Sequence, residues 1–174
     1  MSMSTLKIAG LILVLAIGFS CSKNDSDGTR TVNVRLTDNP FNAEEVNVDI
    51  RSVQLRHDDV PGEDDGWYSI DTEDSIYNLL ELQNDMHVLL ASGPYPYDRI
   101  HEVRLLLGDS NSIKIGGVLY PLTVPSGSSS GFKIKIDKDL AVGPNDILID
   151  FDAALSIHKT GNGKFMLQPV LRLK

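Results

Sequence analysis

Apolar and polar residues alternate along most of this chain, and the alternation predicts strands. Val32, Val34 and Leu36 are separated by Asn33 and Arg35. Val46, Val48 and Ile50 repeat the pattern, and Val53 and Leu55 continue it one position out of phase. Such a slip, near Arg51 and Ser52, is what a β-bulge produces. Val103, Leu105 and Leu107 alternate again. Ile113 and Ile115 lead through Gly116-Gly117 into Val118 and Tyr120, a hairpin signal because both glycines can take positive φ. Phe132, Ile134 and Ile136 alternate with lysines, and Ile147, Ile149 and Phe151 alternate with Leu148, Asp150 and Asp152. After the turn at Gly161-Asn162-Gly163 the chain closes with Phe165, Leu167, Val170, Leu171 and Leu173.

No long segment repeats at 3.6 residues. Ser75 to Leu82 fits two helical turns or one buried strand, because so short a run has no distinguishing period. Eight or more short strands broken by Gly, Pro, Asn and Asp predict an all-β antiparallel sandwich, immunoglobulin-like or prealbumin-like, with at most one short helix. A parallel β/α fold is not expected, since its crossover helices are missing.

The first residues follow another rule. Ile8 to Phe19 is an apolar run of twelve residues, preceded by Lys7 and followed at once by polar residues. A spanning helix needs ~20, so the layout is that of a cleaved secretory signal. The single cysteine, Cys21, stands where the run stops. Gly18-Phe19-Ser20-Cys21 resembles the lipobox of bacterial lipoproteins, in which the cysteine takes a diacylglycerol and the chain is cut before it. Gly18 and Phe19 depart from the usual Leu and small residue, and the looser Bacteroidetes form fits better. The expected organisation is a signal peptide over 1–20, a lipidated flexible tether over 21–30 and a sandwich domain over 31–174. Two or three acyl chains, at about 0.8 kcal/mol per buried methylene, would hold it on a bilayer. Ser22 to Asp27 reads equally as a solvated linker and as an acidic export tag for the outer face of the outer membrane.

Four segments of the body resemble a known family: Val34 to Pro40; Tyr77 to Asn84; Val124-Pro125-Ser126 with Phe132-Lys133-Ile134; and Ile149 to Ala154 with Ser156, ending in Pro169-Val170-Leu171-Arg172. In this order they are similar to the bacterial lipoproteins that share domain of unknown function 4382. The resemblance covers Thr31 to Lys174. It implies an envelope-located β-sandwich and carries no established activity.

Charge narrows the partners. The net charge is -8, and no basic stripe offsets it, so phosphate backbones would be repelled and nucleic acid is not an expected partner. No serine sits in a GxSxG setting, and the Gly/Ser run after Pro125 lacks the Lys of a phosphate loop. His57, His87, His101 and His158 share no ligand spacing, so neither a cofactor nor a transition metal is expected. Asp58, Asp59, Glu63, Asp64 and Asp65 crowd a Pro-Gly turn. They are the candidates for calcium, but the spacing is not that of an EF-hand, and a solvated loop is the plainer reading.

Asp150 and Asp152 share one side of a strand. Such a pair can serve a glycosidase, yet one Trp and 6% aromatic residues argue against a deep sugar groove. Pairing with Arg104 or Arg172 is the expected structural role, since a buried acid needs a partner. Trp67, Tyr68, Tyr95 and Tyr97 lie in loop-rich stretches and are candidate ligand contacts, against the alternative of core packing. The expected function is a non-catalytic, monomeric outer-membrane lipoprotein that contacts a glycan or an envelope protein. A structural subunit of a surface assembly is the alternative, and a carboxylate-dependent hydrolase the third.

Overall fold

The computed structural model describes residues 28–39, 41–58, 66–125 and 130–174. It is an all-β sandwich of two sheets with one short α-helix. The first sheet has the order β13-β10-β1-β5, comprising β1 (Arg30–Thr37), β5 (Val88–Tyr95), β10 (Gly143–Phe151) and β13 (Leu171–Leu173). The second is built on β2 (Glu45–Arg56), the longest strand. Along one edge of β2 lie β3 (Trp67–Ile70) and β4 (Ser75–Asn78), end to end. Along the other lie β6 (Arg99–Leu107) and β7 (Ser112–Ile115). Beyond them the sheet continues through β9 (Phe132–Asp139) on one side. On the other it continues through β8 (Val118–Thr123), β12 (Phe165–Leu167) and β11 (Ile157–Lys159).

The core follows from parity, since successive strand residues face opposite sides. Val32, Val34 and Leu36 of β1 are fully buried, and Ile147, Ile149 and Phe151 of β10 lie beside them. On β2, Val46, Val48 and Ile50 are inward, and so are Val53 and Leu55. The register with β6 shifts between Ile50 and Ser52. That bulge inserts the one residue needed to keep both halves of the strand facing the core. Gly116 and Gly117 sit at φ +59° and +74° between the paired Ile115 and Val118, as a two-residue hairpin turn requires.

Two expectations change. The sheets are mixed: β1 runs parallel to β10 from Arg30↔Gly143 to Thr37↔Asp150, and β12 runs parallel to β8. A parallel pair needs a long connection, not necessarily a helix. Here the strands between β1 and β10 supply it, most of them in the opposite sheet. Ser75 to Leu82 divides: Ser75–Asn78 is β4, and Leu79–Leu82 is a 3-10 turn capped by Asn78, whose side chain accepts from the Leu80 N–H. The helix α1 (Ala153–Ser156) is a single turn after β10. No helix of the described residues is long and apolar enough to cross a membrane. Cys21 and residues 1–27 lie outside the described residues.

Candidate ligand-binding surface

β3 pairs with the end of β2, placing Trp67 opposite Arg56 and Tyr68 opposite Leu55. Adjacent residues face opposite sides of the sheet, so Trp67 and Tyr68 must part. Tyr68 turns toward the start of the first sheet. There it meets Tyr95 edge-on at 5.5 Å and Tyr97 at 6.2 Å between ring centroids. Tyr95 and Tyr97 are 5.3 Å apart. His57, just past β2, stacks on Tyr97 with centroids at 3.9 Å and planes within 15°.

Exposure divides the cluster. Tyr95 is 2% exposed, and its hydroxyl donates to the Arg99 carbonyl at 3.3 Å. Burial pushes its phenol above the usual range, with Tyr97, Asp58 and Tyr68 adding to the shift. Tyr97 is 37% exposed, and Tyr68 and His57 are half-buried. A cavity of about 270 Å³ opens beside Tyr68 and Tyr95, lined also by Arg30, Pro94 and Pro96 with Gly28 and Thr29. The arrangement offers two rings, an imidazole and a guanidinium at the end of the sandwich where the N-terminal strand begins.

Trp67 lies on the outer face of the second sheet. The Arg104 guanidinium sits 4.3 Å from the center of its ring, with Lys133 at 5.4 Å and Arg56 at 5.7 Å. Cations attracted to the negative face of the ring cover it. Trp67 therefore does not join the tyrosines in one surface. Arg56 is held by Asp58 at 2.9 Å and Glu102 at 3.4 Å.

The carboxylates are engaged elsewhere. Asp152 caps α1: its Oδ1 accepts from the Leu155 N–H at 3.0 Å, and its Oδ2 from Arg172 at 2.9 Å. Asp150 accepts from the Asn39 amide at 2.7 Å. Arg104 partners neither aspartate. It stands on β6, in the other sheet, and both its Nε and Nη2 donate to the Gln54 Oε1. Asp150 and Asp152 are 2% and 5% exposed. Of the acidic loop only Asp58 is described, as the partner of Arg56; Asp59, Glu63, Asp64 and Asp65 lie outside the described residues. Among the described residues no group of three His, Cys, Asp or Glu side chains could hold a metal.

Sequence alone does not single out two residues. His57 lies just past the end of β2, against a loop tyrosine, and no local pattern marks it for that contact. Asp38 does carry a local signal: it continues the inward phase of Val34 and Leu36. It is 2% exposed, and its Oδ1 accepts from the Ala153 N–H at 3.0 Å. Its Oδ2 lies near the Gln83 amide without a hydrogen bond of good geometry. Burial pushes its carboxyl up to about 6, against the lowering pull of the Ala153 amide, and the nearby Asp150 adds to the rise.

Fold and surface together define a two-sheet β-sandwich in which the half-buried Tyr68 and the exposed Tyr97 meet at one end. The sequence profile of the family described as Domain of unknown function (DUF4382) matches residues 29–169. The chain belongs to that family. No curated protein and no solved structure matches it.

Proposed function

We propose that the chain is a non-catalytic binding module of a bacterial envelope, anchored in the outer membrane by lipid on Cys21. Its contact surface is the tyrosine–histidine end, and its partner is a glycan or an envelope protein. The observation that carries this reading is the convergence of Tyr68, Tyr97 and His57, with an open cavity on the side of Tyr68. Aromatic side chains with a polar tip supply large contact area with few torsions to freeze, which suits recognition. The position of Cys21 at the end of an apolar run supports the anchor.

The two rival readings have less support. A hydrolase built on Asp150 and Asp152 would need accessible carboxylates, and both are buried and hydrogen-bonded. A subunit that grows by strand addition would need an open edge. The outer edge of β5 is bonded by the segment after β3, with Ser92 N–H to Asp71 O at 3.0 Å and Glu73 N–H to Leu90 O at 2.9 Å. The edge strand β9 carries Lys133, Lys135 and Lys138, the charges that discourage edge pairing.

The test compares the wild type with His57→Ala plus Tyr97→Ala on a glycan panel and on fractionated envelope proteins. The expected result is a ligand retained by the wild type and lost by the variant. Equal retention by both would refute the aromatic end as the contact surface. Cys21→Ala should leave the protein soluble or as an unprocessed precursor on cell fractionation. Wild-type fractionation and mobility would remove the anchor.

A further inference from the structure

The far edge of the second sheet differs in charge from the rest of the chain. No acidic residue occurs between Asp109 and Asp137, or anywhere after Asp152. Those two stretches build β7, β8, β11 and β12. In a chain of net charge -8, this wing carries only positive side chains of its own. The acids that reach it, Glu44 and Glu45, come from β2 and its approach, and they bond Lys114 and the Gly117 N–H at the β7 side.

On the other side of the wing, the β11–β12 hairpin is attached to the sheet by the short parallel pairing of Phe165 with Leu122 and Met166 with Thr123. A cavity of about 490 Å³ opens at this attachment, lined by Thr123, Thr160, Asn162, Lys164, Phe165 and Met166. That volume lies within the roughly 300–1,000 Å³ of small-ligand sites. Phe165 forms part of its wall and is backed by Tyr120, with ring centroids at 5.2 Å. The Lys159 ammonium stands 6.0 Å from the center of the Phe165 ring. Neither Lys159 nor Lys164 is ion-paired among the described residues.

The turn is fixed before any ligand arrives. Thr160 N–H donates to the Lys164 carbonyl at 2.8 Å, and Gly163 N–H to the Thr160 carbonyl at 3.0 Å. The Asn162 Oδ1 accepts from the Thr160 hydroxyl at 2.5 Å, which leaves the amide nitrogen as a donor. An aromatic wall, neutral hydroxyl and amide groups and the Lys164 ammonium thus line one open concavity, with the Lys159 ammonium near the same Phe165 ring. The rings suit the C–H face of a sugar, the neutral groups its hydroxyls, and the lysines an anionic substituent.

We propose that this cavity is a second binding site, separate from the tyrosine–histidine end, and that it takes a sugar chain bearing carboxylate or phosphate groups. The test is calorimetric titration of the full chain in detergent with oligogalacturonate, phosphomannan and neutral mannan. At least one anionic probe should bind at least tenfold more tightly than mannan, and which one binds separates carboxylate from phosphate. Lys159→Glu plus Lys164→Glu should weaken that binding at least tenfold. Lys159→Gln plus Lys164→Gln, which adds no repulsion, should weaken it in the same direction. Lys133→Glu plus Lys135→Glu, on the opposite edge strand β9, should change it less than twofold. The site is overturned if neither anionic probe binds or if mannan binds as well. It is also overturned if the Lys159 and Lys164 variants bind normally, or if the β9 variant loses as much affinity.

Discussion

Asp38→Asn should make the protein more stable at neutral pH, although the residue is buried and hydrogen-bonded. Burial lifts the Asp38 carboxyl from 3.8 to about 6, so folding favors the protonated acid. A group raised in the folded state contributes stability that is fully present below its unfolded pKa, near pH 4. That contribution is lost as pH rises through the folded value, near pH 6. At pH 7.5 the fold therefore holds a charge it would rather neutralize. Two pH units at about 1.4 kcal/mol each give a ceiling of about 3 kcal/mol for that cost. Asparagine removes the charge and keeps an oxygen for the Ala153 N–H. The new amide nitrogen faces the Gln83 side chain, whose amide must turn its oxygen inward to accept from it. The expected gain is about 1–3 kcal/mol at pH 7.5, falling toward zero at pH 4. Urea denaturation of both proteins at the two pH values measures it. A variant no more stable than wild type at pH 7.5, or one whose advantage does not shrink on acidification, would refute the reasoning.

Two further predictions follow from the local geometry. Asp152→Ala removes the cap of α1 and a carboxylate paired with Arg172, whose side chain is 51% exposed. A lost cap costs about 1 kcal/mol and a half-solvated pair about 1 kcal/mol or less. Chemical denaturation should thus show a loss near 2 kcal/mol, and wild-type stability would remove the structural role. Gly117→Ala forces a side chain into φ +74° in the hairpin turn, where a Cβ would touch nothing within 4 Å. The cost is conformational alone, about 1–2 kcal/mol. Gly117→Asn should recover part of it in the same melt, because asparagine tolerates that region.

Much of the fold was legible because parity is a strong code once one face of a sheet is buried. The slip between Ile50 and Val53 gave the bulge in β2, and the glycine pair gave the β7–β8 turn. Strand direction was not legible. Nothing in the alternation of Val32, Val34 and Leu36 says that their neighbor will be Ile147 and Ile149 running the same way. Pairing between strands more than a hundred residues apart depends on how the intervening chain closes, and periodicity does not record that. Ser75 to Leu82 resisted for a different reason. Its single run spans a strand and a 3-10 turn, so a search for one element over the whole run could not place the boundary at Asn78.

The site was partly hidden by the same rule that revealed the fold. Trp67 and Tyr68 are neighbors in sequence and suggest one patch, but on a strand neighbors are the residues least able to share a face. Parity within β3 sends Tyr68 inward with Leu55 and Ile70 and leaves Trp67 outside with Arg56. The three cations around Trp67 arrive from β2, β6 and β9, and His57 reaches Tyr97 from a different strand end. Contacts of this kind join side chains from different strands, so composition could supply the chemistry but not the meeting. The lysines beside Phe165 are the converse case. Their clue is a long stretch without a single acid in an acidic chain, which is visible in the sequence and acquires its meaning only when β12 is seen to lie against β8.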